Sequence, residues 1–270
     1  MAQKRSAQLA KRAVRLADER LRDACQVTEL LLRENARQRV DLAGRMARVP
    51  QIEQLLHAAS HDRKLAAGHH QTARDIAVRL RKGVRGGSTP AFIFLLDRRG
   101  RVIARDGLQS QKRSDSLAET PVIRDALLGY LRDDMWIVDD KLYRIAVAPV
   151  VQADKGYAGA VVVGHAVDKA LVTRLAKRLR TDVGFFGSFG AFVLSAQNPA
   201  VQRQIRASLG KLSGDRADHC RAQPTLVADS DNRYIVLVAR LPGEAGVIGG
   251  AYAVWTPAPT RAELARATPE

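Results

Sequence analysis

The order in which apolar, β-rich runs and helical runs follow one another between residues 91 and 167 constrains this 270-residue chain more than any other feature. Runs suited to strands lie at 91–96, 101–104, 135–138, 141–150 and 157–167. Turn chemistry separates them: Asp97-Arg98-Arg99-Gly100 closes a first hairpin, Asp139-Asp140 a second and Ala153-Asp154-Lys155-Gly156 a third. Residues 121–132 have helical spacing instead, with Val122, Ala126, Leu127 and Leu131 on one side. Strand, strand, helix and three strands predict a small antiparallel sheet.

The same order then returns. Asp168 suits the N-cap of a helix reaching about Arg180, with Leu171, Leu175 and Leu179 along one side. Residues 183–186 and 191–194 flank Gly187-Ser188-Phe189-Gly190 as a hairpin, and 198–209 is helical. Strands are expected at 226–228, 234–241 and 246–255, after a polar excursion at 213–223. Beyond Pro257 the chain leaves the sheet, and residues 261–264 start a helix.

Residues 1–48 contain no proline and one glycine, Gly44, and their charges alternate in sign. A seam of 3.5-residue period runs through Val14, Ala17, Leu21, Ala24, Thr28, Leu31, Asn35, Gln38 and Leu42. It predicts one long helix of about 70 Å. With three polar positions in the seam, the helix is expected to pack on the sheet and on a twin helix in a dimer. Pro50 starts a second helix to about His57, and residues 66–81 form a third before the breaker-rich loop 82–90.

These residues resemble a known family. The hairpin FIFLLDRRGRVIARDG, the helix after it, then WIVDDKLYRIAVAPV and GYAGAVVVGHAVD are similar to the sensor module of the Cache superfamily, the PAS-like ectodomains of bacterial histidine kinases, cyclases and chemoreceptors. The Asp/Gly turn, the strand ending Ala148-Pro149-Val150 and the glycine-rich closing strand carry the resemblance. It implies an α+β fold with a long N-terminal helix followed by two PAS-like antiparallel β-sheet modules, a double-Cache-like arrangement. Residues 1–90 would form the helices, 91–182 a first, membrane-distal module, 183–257 a smaller, membrane-proximal one and 258–270 a tail.

The resemblance also implies a function. The chain would be a periplasmic or extracellular sensor rather than an enzyme, holding a small-molecule ligand in its first module and signalling through the long helix. It would form a homodimer through that helix, with membrane segments flanking this chain. Taken as complete, the chain would be cytoplasmic: it has no run of 18 apolar residues, and its charged start lacks the apolar core of a signal peptide.

Charge offers an alternative. The net charge is +16, and residues 1–85 hold 19 Lys and Arg against 9 Asp and Glu. A nucleic-acid or anionic-surface binder using the basic helix is therefore a second expectation. Against nucleic acid, no aromatic residue precedes Phe92, so stacking platforms are missing from the basic segment. The same charges sit awkwardly beside a membrane on its outer side.

Catalytic and cofactor motifs are absent, and no cofactor is expected. Cys25 and Cys220 lack metal-ligand spacing and read as two unpaired residues; a bridge between them would tie the long helix to the second module. The acidic pairs Asp133-Asp134 and Asp139-Asp140 read as turn residues, His57 and His61 as exposed, and His69-His70 point too far apart to share a metal. No metal is expected.

Ligand binding finds better material in the strand at 141–150. Leu142, Arg144, Ala146 and Ala148 face one way, and Tyr143, Ile145 and Val147 the other. Small residues leave volume, and Arg144 offers a bidentate donor to a carboxylate or phosphate. Trp136 and Tyr143 either wall the site or belong to the core; Arg124, early in its helix, either reaches the anion or stays at the surface. Amino-acid-binding double-Cache domains carry an aromatic and arginine signature that Tyr130 through Trp136 echo only loosely, so the resemblance does not imply an amino acid. A small organic anion fits the arginines better.

Overall fold

The computed structural model describes residues 2–61, 67–84, 89–108, 115–152, 156–187, 190–209, 220, 223–229 and 232–258. The expectations for the Val14 and His69-His70 side chains, the run 62–64, the loop 85–88, Ala153 to Lys155, Ser188-Phe189, most of the 213–223 excursion and the helix at 261–264 fall outside the residues described. The chain divides into two compact units. Arg33–Val167 form the first, while Met1–Leu32 and Asp168–Glu270 form the second.

In the first unit, helices α1 (Ala2–Ala47, from Arg33 on), α2 (Pro50–His61) and α3 (Ala67–Lys82) precede a five-stranded antiparallel sheet. Its strands are β1 (Phe92–Asp97), β2 (Val102–Asp106), β3 (Arg132–Val138), β4 (Lys141–Gln152) and β5 (Gly156–Ala166), with α4 (Pro121–Leu127) between β2 and β3. They lie in the order β2-β1-β5-β4-β3. The strand alternation read from the sequence holds. Ala146, Ala148 and Val150 meet Ala43, Met46, Ile52, Leu56 and Ile76 on the helix-covered face, while Tyr143, Ile145 and Val147 meet Phe92, Trp136, Val122 and Ala126 on the α4 face.

Local chemistry fixes the turns. Asp139 and Asp140 both have positive φ, 50° and 54°, as a two-residue hairpin turn requires, and Asp tolerates that region better than most residues. At the first hairpin Asp97 is fully buried: its carboxylate accepts N–H groups of Arg99 and Arg101, both at 2.9 Å, and pairs with the Arg101 guanidinium at 2.6 Å.

Several sequence expectations are corrected. The helix predicted over 121–132 stops at Leu127, and β3 starts at Arg132 rather than Met135. Gly129 causes this: its φ is +103°, and a Cβ there would lie 2.0 Å from the Tyr157 hydroxyl, so the chain turns where only glycine fits. Leu131, counted on the helix face, lies instead near Gly44 of α1. α2 continues past His57 to His61, and His57 shares a hydrogen bond with Gln152 at 3.1 Å. Buried positions on α1 include Ala17, Leu21, Ala24 and Thr28, then Leu32, Ala36, Arg39 and Ala43. That stripe slips by one residue from the 3.5-period seam because a straight helix repeats every 3.6 residues.

In the second unit the same order recurs. α5 (Lys169–Leu179) begins at Asp168, whose carboxylate accepts the Leu171 N–H at 2.8 Å. The strands β6 (Asp182–Gly187), β7 (Gly190–Leu194), β8 (Thr225–Asp229), β9 (Asn232–Arg240) and β10 (Ala251–Pro257) pair as β7-β6-β10-β9-β8. α6 (Pro199–Leu209) lies between β7 and β8 and packs Val201 and Ile205 on Phe186 and Trp255. The last strand begins at Ala251, later than predicted: Gly243–Val247 forms a short helix, α7, in which a Cβ at Gly246 would lie 1.9 Å from the Leu241 carbonyl oxygen.

Cys25 and Cys220 are not free. They form a disulfide within the second unit, joining residues 195 apart in sequence, beside the buried Tyr252 hydroxyl. The expectation of unpaired cysteines failed because sequence spacing is blind to a contact made between distant elements.

Two measurements test these anchors. Asp97→Ala should cost about 2–4 kcal/mol in urea unfolding, and Asp97→Asn less, because the amide still accepts two N–H groups. Cys220→Ser should cost about 3–5 kcal/mol by the loss of a long-loop cross-link, with wild type under reductant matching it.

Candidate ligand-binding cleft

Two arginines define a cleft of about 810 Å³ on the helix-covered side of the first sheet. Arg144 enters it from β4, where the ladder sets it between Met135 of β3 and His165 of β5. The next residues on that face are Ala146 and Ala148, and small side chains leave room beside an arginine. Arg39 comes from α1, because the 3.6-residue stripe that buries Leu32, Ala36 and Ala43 also turns position 39 inward. Asn35, Gln38 and Leu42, read from the sequence as seam residues, line the same cleft.

Both guanidiniums are buried, Arg39 at 7% exposure and Arg144 at 8%. Arg39 Nε and Nη1 have no hydrogen-bond partner among the described residues, and an Asp133 carboxylate oxygen lies 3.9 Å from Nη2. Burial pushes the Arg39 pKa down from 12.5 to about 10, the neighbouring Arg144 charge adds to that, and Asp133 opposes it. Arg39 is thus charged at neutral pH and short of acceptors. Buried cations in this state are costly unless an anion joins them.

An apolar wall faces the cations. Leu42 and Met46 of α1, Ile76 and Leu80 of α3, and Val49 and Val84 of the loops beside them line the cleft. Arg45, Gln51 and Arg79, all exposed, stand on it as well, and His165 is buried beside Arg144. The arrangement can hold an anion against the paired guanidiniums and an apolar group against the wall. Such a mixture of apolar lining and few charged groups is usual in small-molecule sites of about 300–1,000 Å³.

The four residues predicted from the sequence do not converge. Arg144 lies in the cleft. Trp136 and Tyr143, paired across β3 and β4, are buried on the opposite face among Phe92, Val122 and Ala126, and Phe92 meets Tyr143 edge-on at 5.3 Å. Burial, with Asp139 adding to it, raises the Tyr143 pKa above its usual 10. Arg124 is exposed on α4, which covers that same opposite face. Adjacent strand residues cannot share a face, so Arg144 excludes Tyr143 from its site. Arg39 was missed because a seam drawn at 3.5 residues selects Gln38 in its place.

No protein-family model matches the chain, and none of the curated proteins does. Among solved structures, the chain is similar to the ligand-binding domain of the Campylobacter jejuni chemoreceptor Tlp3 in complex with 4-methylisoleucine, at 12% identity, covering 93% of this chain and 92% of that one, with a TM-score of 0.49. It is also similar to the sensor domain of the V. cholerae histidine kinase DctB, at 16% identity over 86% of this chain and 99% of that one, with a TM-score of 0.45. Both scores lie below 0.5, so the cleft's own geometry carries the functional argument.

If Arg39 is held in the cleft at a cost to stability, Arg39→Met should stabilise the empty protein by about 1–3 kcal/mol in urea unfolding, since an apolar side chain of similar length needs no counter-charge. Unchanged or lower stability would mean that Arg39 is already compensated.

Proposed function

We propose that the chain is the small-molecule-sensing domain of a bacterial signal-transduction receptor, and that its first PAS-like unit takes a small organic anion between Arg39 and Arg144. The observation that carries this reading is the pair of buried guanidiniums at the cleft, one of them with two buried nitrogens lacking partners. A carboxylate accepts two parallel N–H bonds from a guanidinium, and the low-dielectric surroundings strengthen that contact. The cleft offers arginines, amides and an imidazole against an apolar wall, a set suited to holding a ligand rather than transforming it.

The anion would bridge α1 and β4. Because α1 runs without a break from Ala2 to Ala47, a ligand that prefers one packing of Arg39 against the sheet biases the whole helix. Leu16, Val27 and Leu30 of α1 are exposed large apolar residues with spacings of three and four helical turns, which supports a twin helix in a homodimer.

The disulfide supports an oxidising, extracytoplasmic location. No helix among the described residues is long and apolar enough to cross a membrane. A membrane-proximal place for the module at 183–257 and a distal one for the module at 91–182 belong to the same proposal.

Thermal unfolding against carboxylates, amino acids, amines, purines and phosphates tests the proposal. A ligand at about 100 times its Kd adds about 2.7 kcal/mol and raises the midpoint visibly. Anions should do so, Arg39→Met and Arg144→Met should each remove the shift, and Arg124→Ala should keep it. If no anion acts while DNA or anionic vesicles bind steeply at low salt, the basic helix is the functional part and the sensor reading fails.

A further inference from the structure

The cleft's lining discriminates among anions. Fifteen residues line it, four of them arginines, and none of these described residues is Asp or Glu. Asp133 is not among the lining residues; its carboxylate lies 3.9 Å from Arg39 Nη2, where it is engaged with that guanidinium, and its side chain is half-exposed to solvent. An ammonium group entering beside the carboxylate would meet the Arg39 and Arg144 charges at close range, with no lining carboxylate to receive it. It would also give up its water shell against Leu42, Met46, Ile76 and Leu80.

The same wall argues against the smallest anions. Inorganic phosphate or sulfate has nothing to place against Val49, Leu80 and Val84, and would leave that surface wet. A ligand that uses both halves has one carboxylate for the paired guanidiniums and an apolar body for the wall. Arg45 and Arg79 are exposed to solvent, so their charges do not require a second acidic group on the ligand.

We infer that this cleft selects a carboxylic acid with an apolar aliphatic or aromatic body and no amino group. The inference deepens the anion-sensor reading and rests on it. Matched pairs isolate the amino group: 4-methylpentanoate differs from leucine, and 3-phenylpropanoate from phenylalanine, by the α-ammonium alone.

Calorimetric titration of the purified chain with these four compounds, 3-methylbutylamine and inorganic phosphate is the test. At least one acid should bind at least about 100-fold more tightly than its amino-acid counterpart, the equivalent of about 2.7 kcal/mol. The amine should not bind, phosphate should bind more weakly than that acid, and both Arg39→Met and Arg144→Met should abolish binding of the acid while still melting cooperatively. An amino acid binding as well as its acid, or phosphate binding more tightly than both acids, overturns the inference yet leaves the anion site standing if the arginine variants lose that binding. If no anion binds wild type, or the variants bind as wild type does, the sensor reading fails and the inference with it.

Discussion

Adjacent residues on a strand point to opposite sides, and the β4–β5 ladder turns that constraint into two chemically different faces. Tyr143, Ile145 and Val147 go to an aromatic-rich core under α4. Arg144, Ala146 and Ala148 go to the side covered by α1, α2 and α3. A one-residue slip of this ladder would drive Arg144 into the aromatic core and empty the cleft of its cation. Register here is protected from both sides: burying a charge among Phe92 and Trp136 is costly, and so is exposing Ile145 and Val147. The cleft therefore depends on the same pairing that holds the sheet together.

The topology was legible in the sequence because each strand boundary carries its own chemistry. Asp139-Asp140 makes a turn with two positive φ angles, Asp168 accepts the Leu171 N–H, and the order repeats so that the two sheets share one strand sequence. Boundaries failed where tertiary contact decided them. Nothing near Gly129 in the sequence announces that Tyr157, nearly thirty residues later, will occupy the space of its missing Cβ. The disulfide was illegible for the same reason, since Cys25 and Cys220 meet only when a helix from one end of the chain packs in the unit built from the other.

The site was half legible. Alternation along β4 put Arg144 beside small residues on the face where the cleft lies and Tyr143 on the other; of the two readings left open for Trp136 and Tyr143, wall or core, the structure shows them in the core. On α1 the error was one of period. Heptad and 3.6-residue stripes coincide at Ala17, Leu21, Ala24 and Thr28 and separate by one residue at Leu32, so Gln38 and Arg39 exchange roles. Since both fit an alternating-charge helix, only packing on the sheet distinguishes them.

The two modules share a topology, and the helices that follow the second strand of each, α4 and α6, both close an apolar core: Phe92, Tyr143 and Ile145 under α4, and Phe186, Trp255 and Val236 under α6. In the first sheet the helix-covered face is interrupted by Arg39 and Arg144. A core that needed only stability would place an apolar residue at position 39, because burying the Arg39 guanidinium costs several kcal/mol of solvation that the Asp133 carboxylate, 3.9 Å away and half-exposed, offsets only in part. Strain of this kind persists where the missing partner arrives from outside. On the proposed reading, an anion that neutralises the pair would recover the electrostatic cost on binding, so that the strain of the empty fold would become affinity and also the leverage by which α1 would sense that the cleft is occupied.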